Sequence, residues 1–121
     1  MSTTGPLSVV KEGDVTVVVF GRGQRHLDEV GLDAIGNQLF EIAREANPPR
    51  LVLDMKVTAF FGSSFIELLF RVWKQLNSQP GAKFAISGLQ EYCREVLQIT
   101  HLDKLWPLYA TQAEAVDELA K

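Results

Sequence analysis

The sequence is poor in the residues that most site chemistry needs. It has one cysteine, Cys93, in 121 residues, so no internal disulfide can form, which fits a reducing cytoplasm. Its two histidines, His26 and His101, lie far apart, and with a single thiol they give no metal-ligand spacing. A basic excess is also missing. Twelve Lys and Arg stand against fifteen Asp and Glu, a net charge of −3, which argues against a nucleic-acid partner. No run of like charge marks a polybasic membrane patch. No apolar run reaches the ~20 residues of a membrane span. The densest, from Ala59 to Trp73, is broken by Gly62, Ser63, Ser64, Glu67 and Arg71. The opening MSTTGPLS lacks the basic, apolar and small-residue order of a leader. The expectation is a cytoplasmic protein with no cofactor, no metal and no direct membrane insertion.

What is present suits one domain. The hydrophobic share is 46%, so disorder is not the default. A chain of this length buries roughly two-thirds of its unfolded surface. Residues 1–6 read as a flexible tail and 7–121 as a single domain. Leu7 to Val10 predicts a short strand, and KEGD at 11–14 a hairpin turn. VTVVVF at 15–20, LVLDM at 51–55 and FAISG at 84–88 are almost continuously apolar, as strands covered on both faces are.

Helical spacing holds between these runs. Ile35, Leu39, Ile42 and Ala46 form a stripe within 27–46, and NPPR at 47–50 breaks it. A second helix is predicted over 64–76 and a third over 89–99, with Tyr92, Val96 and Leu97 on one side. LWPLY at 105–109 suits a short edge strand, because Pro107 cannot donate to a central ladder. Thr111 with Glu114 forms a capping-box pattern before a last helix ending near Ala120. The order β-β-α-β-α-β-α-(β)-α implies an α/β fold: a mixed sheet of about four to five strands with helices packed against it.

The candidate sites differ in weight. GRGQRH at 21–26 follows a strand but lacks both the third glycine of a dinucleotide fingerprint and the Gly-Lys-Ser/Thr of a phosphate loop. It reads as a turn, with Arg22, Arg25 and His26 available to a partner or an anion. A serine hydrolase would need a histidine to reach Ser64 and an acid to orient it, and Phe-Gly-Ser-Ser-Phe is not the Gly-x-Ser-x-Gly elbow. Cys93 reads as a small buried or half-buried helix residue.

AFFGSSFIEL at 59–68 places two hydroxyls where a β-like run gives way to a helix. One serine is accounted for as an N-cap, worth about 1 kcal/mol. The second is in excess. A helix start presents free amides and partial positive charge, and a phosphate there adds about −1.5 to −2 charges. The helix that follows is apolar nearly all round, so part of it should be exposed or covered by another protein, unless the first and third helices cover it.

With RLVLDMKVTAFFGSSFIELLFRVWKQL, the element order resembles the STAS domain of bacterial anti-sigma factor antagonists. In that family an apolar strand ends in Asp, an apolar pair follows, and Asp-Ser-Ser-Gly opens a helix. Leu51 to Asp54, then Phe60 and Phe61, then Ser63 and Ser64 match it. GAKFAISGLQEYCREVLQITHLDKLWPLY extends the likeness to about residues 7–119. The resemblance implies a STAS-like fold and a non-enzymatic binding module. It also implies capture of an anti-sigma factor that is a serine kinase, release when the second serine, Ser64, is phosphorylated, and a phosphatase that restores binding. Ser64 and Ser63 are the candidate phosphoacceptors. Gly62, Phe65, Arg22, Arg25 and Asp28 are the candidate partner contacts.

Two positions depart from the family pattern, since its Asp is Gly62 here and its Gly is Phe65. Both favour an alternative: a STAS subunit of a signalling assembly or lipid transporter without a phosphate cycle, for which a stable homo-oligomer would speak.

Overall fold

A computed structural model describes residues 5–27 and 31–121. In it, β1 (Ser8–Glu12) and β2 (Val15–Val19) form an antiparallel hairpin. The turn uses Gly13 at φ 62, a conformation that costs glycine little. A two-residue β3 (His26–Leu27) precedes α1 (Leu32–Glu45) and β4 (Arg50–Asp54). A two-residue β5 (Phe60–Phe61) leads into α2 (Ser63–Asn77), β6 (Lys83–Ser87) and α3 (Glu91–Ile99). The chain ends with β7 (Leu108–Tyr109) and α4 (Gln112–Ala120).

The main sheet has five strands in the order β1-β2-β4-β6-β7, and only β1 is antiparallel to its neighbour. Each crossover from β2 to β7 steps one strand in the same direction. The expected mixed α/β sheet is therefore observed. Alternate residues of the central strands enter two cores, as strand geometry requires. Val18, Leu51, Leu53, Phe84 and Ile86 meet the buried faces of α1, α2 and α3. Val15, Val17, Val52 and Ala85 meet Ala115 and Leu119 of α4. Continuous apolar runs follow from this double cover. The edge strand β1 is exposed throughout, and its entry is held by Gln38 of α1. The Gln38 side chain accepts from Leu7 N and donates to Leu7 O, both at 2.9 Å.

The helices follow the predicted stripes, with shifted ends. Ile35, Leu39, Ile42 and Ala46 are buried as the spacing requires. Gly36 lets α2 approach α1 closely: a Cβ there would meet Leu68 Cδ1 at 2.9 Å. The capping box at α4 forms, with Thr111 Oγ1 accepting from Glu114 N and Glu114 Oε1 accepting from Thr111 N, each at 3.2 Å.

The cover of α2 is partial. Phe65, Leu68, Leu69, Val72 and Leu76 are buried. On the far side, Phe70 packs edge-on against Trp73 and Trp106, and Trp106 is fully buried. Helix α1 packs along α2 and the turn at 102–106 covers a further part, but Phe70 stays 37% exposed, so part of the apolar surface of α2 is open. Tyr92 differs from expectation, being 50% exposed, while Cys93 and Leu97 carry the buried side of α3. Among the described residues, no helix is long and apolar enough to cross a membrane.

Candidate functional site at the start of α2

Backbone bonds from distant residues position the serine pair. Ala59 N and Phe60 N donate to Arg25 O at 2.8 and 3.1 Å, Gly62 N donates to Leu27 O at 3.1 Å, and Thr58 Oγ1 donates to Gln24 O at 2.9 Å. The parallel pairing of β3 with β5 therefore lays the Arg22–Leu27 segment beside the entrance to α2. Thr58 and Gln24 are buried, so this seam is fixed from beneath.

The N-cap of α2 is Gly62, in extended conformation, with no side-chain cap bond. This corrects the expectation that a serine caps the helix. Gly62 O accepts from Phe65 N at 3.1 Å and Ile66 N at 3.3 Å, which leaves Ser63 and Ser64 as the first two helical residues. Their amides belong to the unsatisfied first turn, where partial positive charge gathers. Ser63 is exposed and Ser64 half-buried. Among the described residues, neither hydroxyl has a hydrogen-bond partner, and in particular neither meets His26 or His101.

Ser64 opens onto a groove of about 400 Å³ between α1 and α2. Asp33 and Asn37 line it from α1, and Glu67 and Arg71 from α2. Two carboxylates and one guanidinium make the groove net acidic. A phosphate on Ser64 would add to that acidic balance, with Arg71 as the one cationic side chain lining the groove.

The expected partner contacts divide. Gly62 is half-buried at the helix entrance, and Arg22 and Arg25 are exposed on the segment stitched beside it. Phe65 is corrected: its side chain is fully buried, 6.0 Å centroid to centroid from Phe20 and 5.4 Å from Phe61. A helix that docks by its first turn must turn one residue of that turn into the core, and here it is Phe65. Asp28 lies outside the described residues. Beside the serines is an aromatic surface that the sequence did not mark as a site. Phe60 stacks on Tyr92 at 5.6 Å and meets His26 edge-on at 6.4 Å. Phe60 and Tyr92 are 38% and 50% exposed, which puts apolar contact area next to Ser63. Phe60 matched the apolar pair of the family pattern, but only the β3–β5 register shows that it faces outward while Phe61 faces inward.

The STAS domain family model matches residues 8–115. The chain belongs to the STAS domain family. A solved anti-sigma-factor antagonist (STAS) domain protein from Planctomyces limnophilus is 37% identical, with a TM-score of 0.89, over 95% of this chain and 98% of that one. An anti-sigma factor antagonist from Mycobacterium paratuberculosis is 25% identical, with a TM-score of 0.79, over 99% and 96%. The Bacillus cell fate determinant SpoIIAA in its phosphorylated form shares the fold at 18% identity and a TM-score of 0.66, over 93% and 98%. In STAS terms, the strand ending in Asp54 is β4, the apolar pair is β5 and the two serines open α2. Asp54 itself is buried, accepting from Gln112 Nε2 at 2.8 Å and Lys56 N at 3.2 Å. It fastens α4 and the strand end and does not reach the serines.

Proposed function

We propose that this chain is an anti-sigma factor antagonist of the cytoplasm. In this reading it is not an enzyme. It captures an anti-sigma factor that is also a serine kinase, and phosphorylation of Ser64 releases it. The observation that carries this reading is the pair of uncommitted hydroxyls at the first turn of α2, beside Arg25 and the Phe60–Tyr92 surface. Support comes from the 37% identical antagonist-domain protein.

The mechanism is electrostatic. The kinase transfers the γ-phosphoryl of ATP to Oγ, whose proton leaves, and the site gains about −1.5 to −2 charges. Three features let the fold keep that charge: the α2 start favours an anion, the hydroxyl sacrifices no internal bond, and Ser64 is not sealed. The docked partner, in contrast, must desolvate a dianion above a groove that already holds Asp33 and Glu67. Each ~1.4 kcal/mol lost weakens the complex tenfold. A phosphatase resets the cycle. The non-switched alternative now rests on Gly62 alone, because Phe65 is a core residue and leaves the docking surface unobstructed.

The test is incubation with a cognate anti-sigma kinase and ATP, with the phosphate located by mass spectrometry. The expected product carries one phosphate on Ser64. Phosphate on Ser63 instead, or none, removes the switch from Ser64.

A further inference from the structure

The groove between α1 and α2 holds one cation that the fold itself does not use. Arg71 lines it together with Ser64, seven residues before it on the same helix. Seven residues span about 10.5 Å of helix and bring the two positions within about 20° of one direction. Helical side chains lean toward the N-terminus, so a long one covers the turn before its own Cα. A side chain at 71 thus extends toward Ser64, and a phosphate on Ser64 takes up part of the distance that remains. Ser63 stands about 80° from Arg71 around the helix. It does not line the groove.

Arg71 is uncommitted. Among the described residues it makes no ion pair and no hydrogen bond, although Asp33 and Glu67 line the same groove. Glu67 stands four residues before it, where a carboxylate and a guanidinium on one exposed helix face attract only weakly. A phosphate on Ser64 is the stronger partner. It carries about −1.5 to −2 charges and three acceptor oxygens, and a guanidinium forks onto two of them at once. Asn37, across the groove on α1, brings an amide donor. Leu32 and Leu68 add apolar wall, which thins the water that would screen the pair.

We infer that Arg71 is the internal receptor of the Ser64 phosphate, binding it across the groove by a forked ion pair. The inference rests on the proposed phosphorylation of Ser64. It supplies a reason for the second serine, since Ser64 and not Ser63 opens onto the cation. One guanidinium against a dianion leaves the groove more acidic than before, with Asp33 and Glu67 still unpaired. The phosphate is therefore held in place without being cancelled, and a partner meets a fixed negative charge.

The test installs phosphoserine at position 64 or at position 63 during translation, so no kinase is needed, in the parent chain and in Arg71→Gln. Phosphorus NMR follows the second ionisation of each phosphate. Asp33 and Glu67 oppose that ionisation with or without Arg71, so the comparison isolates the guanidinium. Arg71→Gln should raise the pKa of the position-64 phosphate by about half a unit and that of the position-63 phosphate by less than about 0.1. Arg71→Lys, which keeps the charge, should restore most of the difference. The Arg71 Nε–H signal should move on phosphorylation at 64 and stay in place on phosphorylation at 63. Arg71 is exposed, so the variants should fold, and matching melting curves of the unphosphorylated proteins check this. An unchanged pKa at position 64, or equal shifts at the two positions, would overturn the inference. Either result leaves the kinase assay on Ser64 unaffected, so the two failures are distinguishable.

Discussion

Replacing Phe65 with alanine tests whether the first turn of α2 is anchored in the core or offered to a partner. The ring is fully buried and packs against Phe20 and Phe61, which also pack into the same core. Truncation of a buried phenylalanine costs about 3–5 kcal/mol, more where neighbours cannot collapse into the space. Phe61 is tied by the β3–β5 pairing and Phe20 by its amide bond to Asp54 O at 3.0 Å, so collapse is restricted. A loss of about 4 kcal/mol is therefore expected. With a slope of about 1.5 kcal/mol per molar urea, the midpoint should fall by roughly 2–3 M. Phe65→Leu keeps most of the volume and should cost about 1–1.5 kcal/mol. Urea titration followed by tryptophan fluorescence reads both. The leucine variant should hold an anti-sigma partner within about threefold of the parent, far below the tenfold that 1.4 kcal/mol represents. A loss under about 1 kcal/mol for Phe65→Ala, or a tenfold affinity loss for a well-folded Phe65→Leu, would refute the inward placement.

Two further outcomes concern the scaffold. Thr111→Ala removes the α4 cap and should cost about 1 kcal/mol, with faster amide exchange across 112–115; unchanged stability would mean the capping box contributes nothing. Burial pushes the Cys93 thiol up from 9.0 to about 11, so at neutral pH it should resist disulfide-exchange reagents until the protein unfolds. As pH rises, the unfolded chain loses this proton first. The thiol's contribution is therefore complete below about pH 9 and declines through about pH 11, by at most 2–3 kcal/mol. Cys93→Ala should flatten that part of the urea-midpoint profile, and an equal alkaline fall in both proteins would contradict the assignment.

The parts of the fold legible in the sequence are those fixed by local pattern. β2, β4 and β6 show themselves because both their faces are covered, which leaves no polar alternation. The cap of α4 is written in two residues three apart. The parts not legible depend on distant contacts. β3 and β5 have two residues each, too few to carry a period, and they form because Arg25 O and Leu27 O receive amides from the segment before α2. The same bonds make Gly62 the N-cap and free both serines. The apolar residues of α2, eight of its fifteen, lie nearly all round the helix, so periodicity could not tell Phe65 inward from Phe70 outward. Trp106 fills the gap beside α2 from a segment that reads locally as strand. The serine pair was legible as a candidate site at a helix start. Its neighbours Phe60, Tyr92 and Asp33 were brought to it by the sheet and the α1–α2 packing.

The central claim is that negative charge at residue 64 dissolves a complex without dissolving the fold. Calorimetric titration of an anti-sigma kinase with Ser64→Asp and Ser64→Ala, alongside their melting curves, measures it directly. Melting temperatures should agree within a few degrees, since the helix start contributes about 0.3–1 kcal/mol toward an anion. The alanine variant should bind like the parent and the aspartate variant at least tenfold more weakly. Equal affinity of the two variants for the kinase would contradict the account.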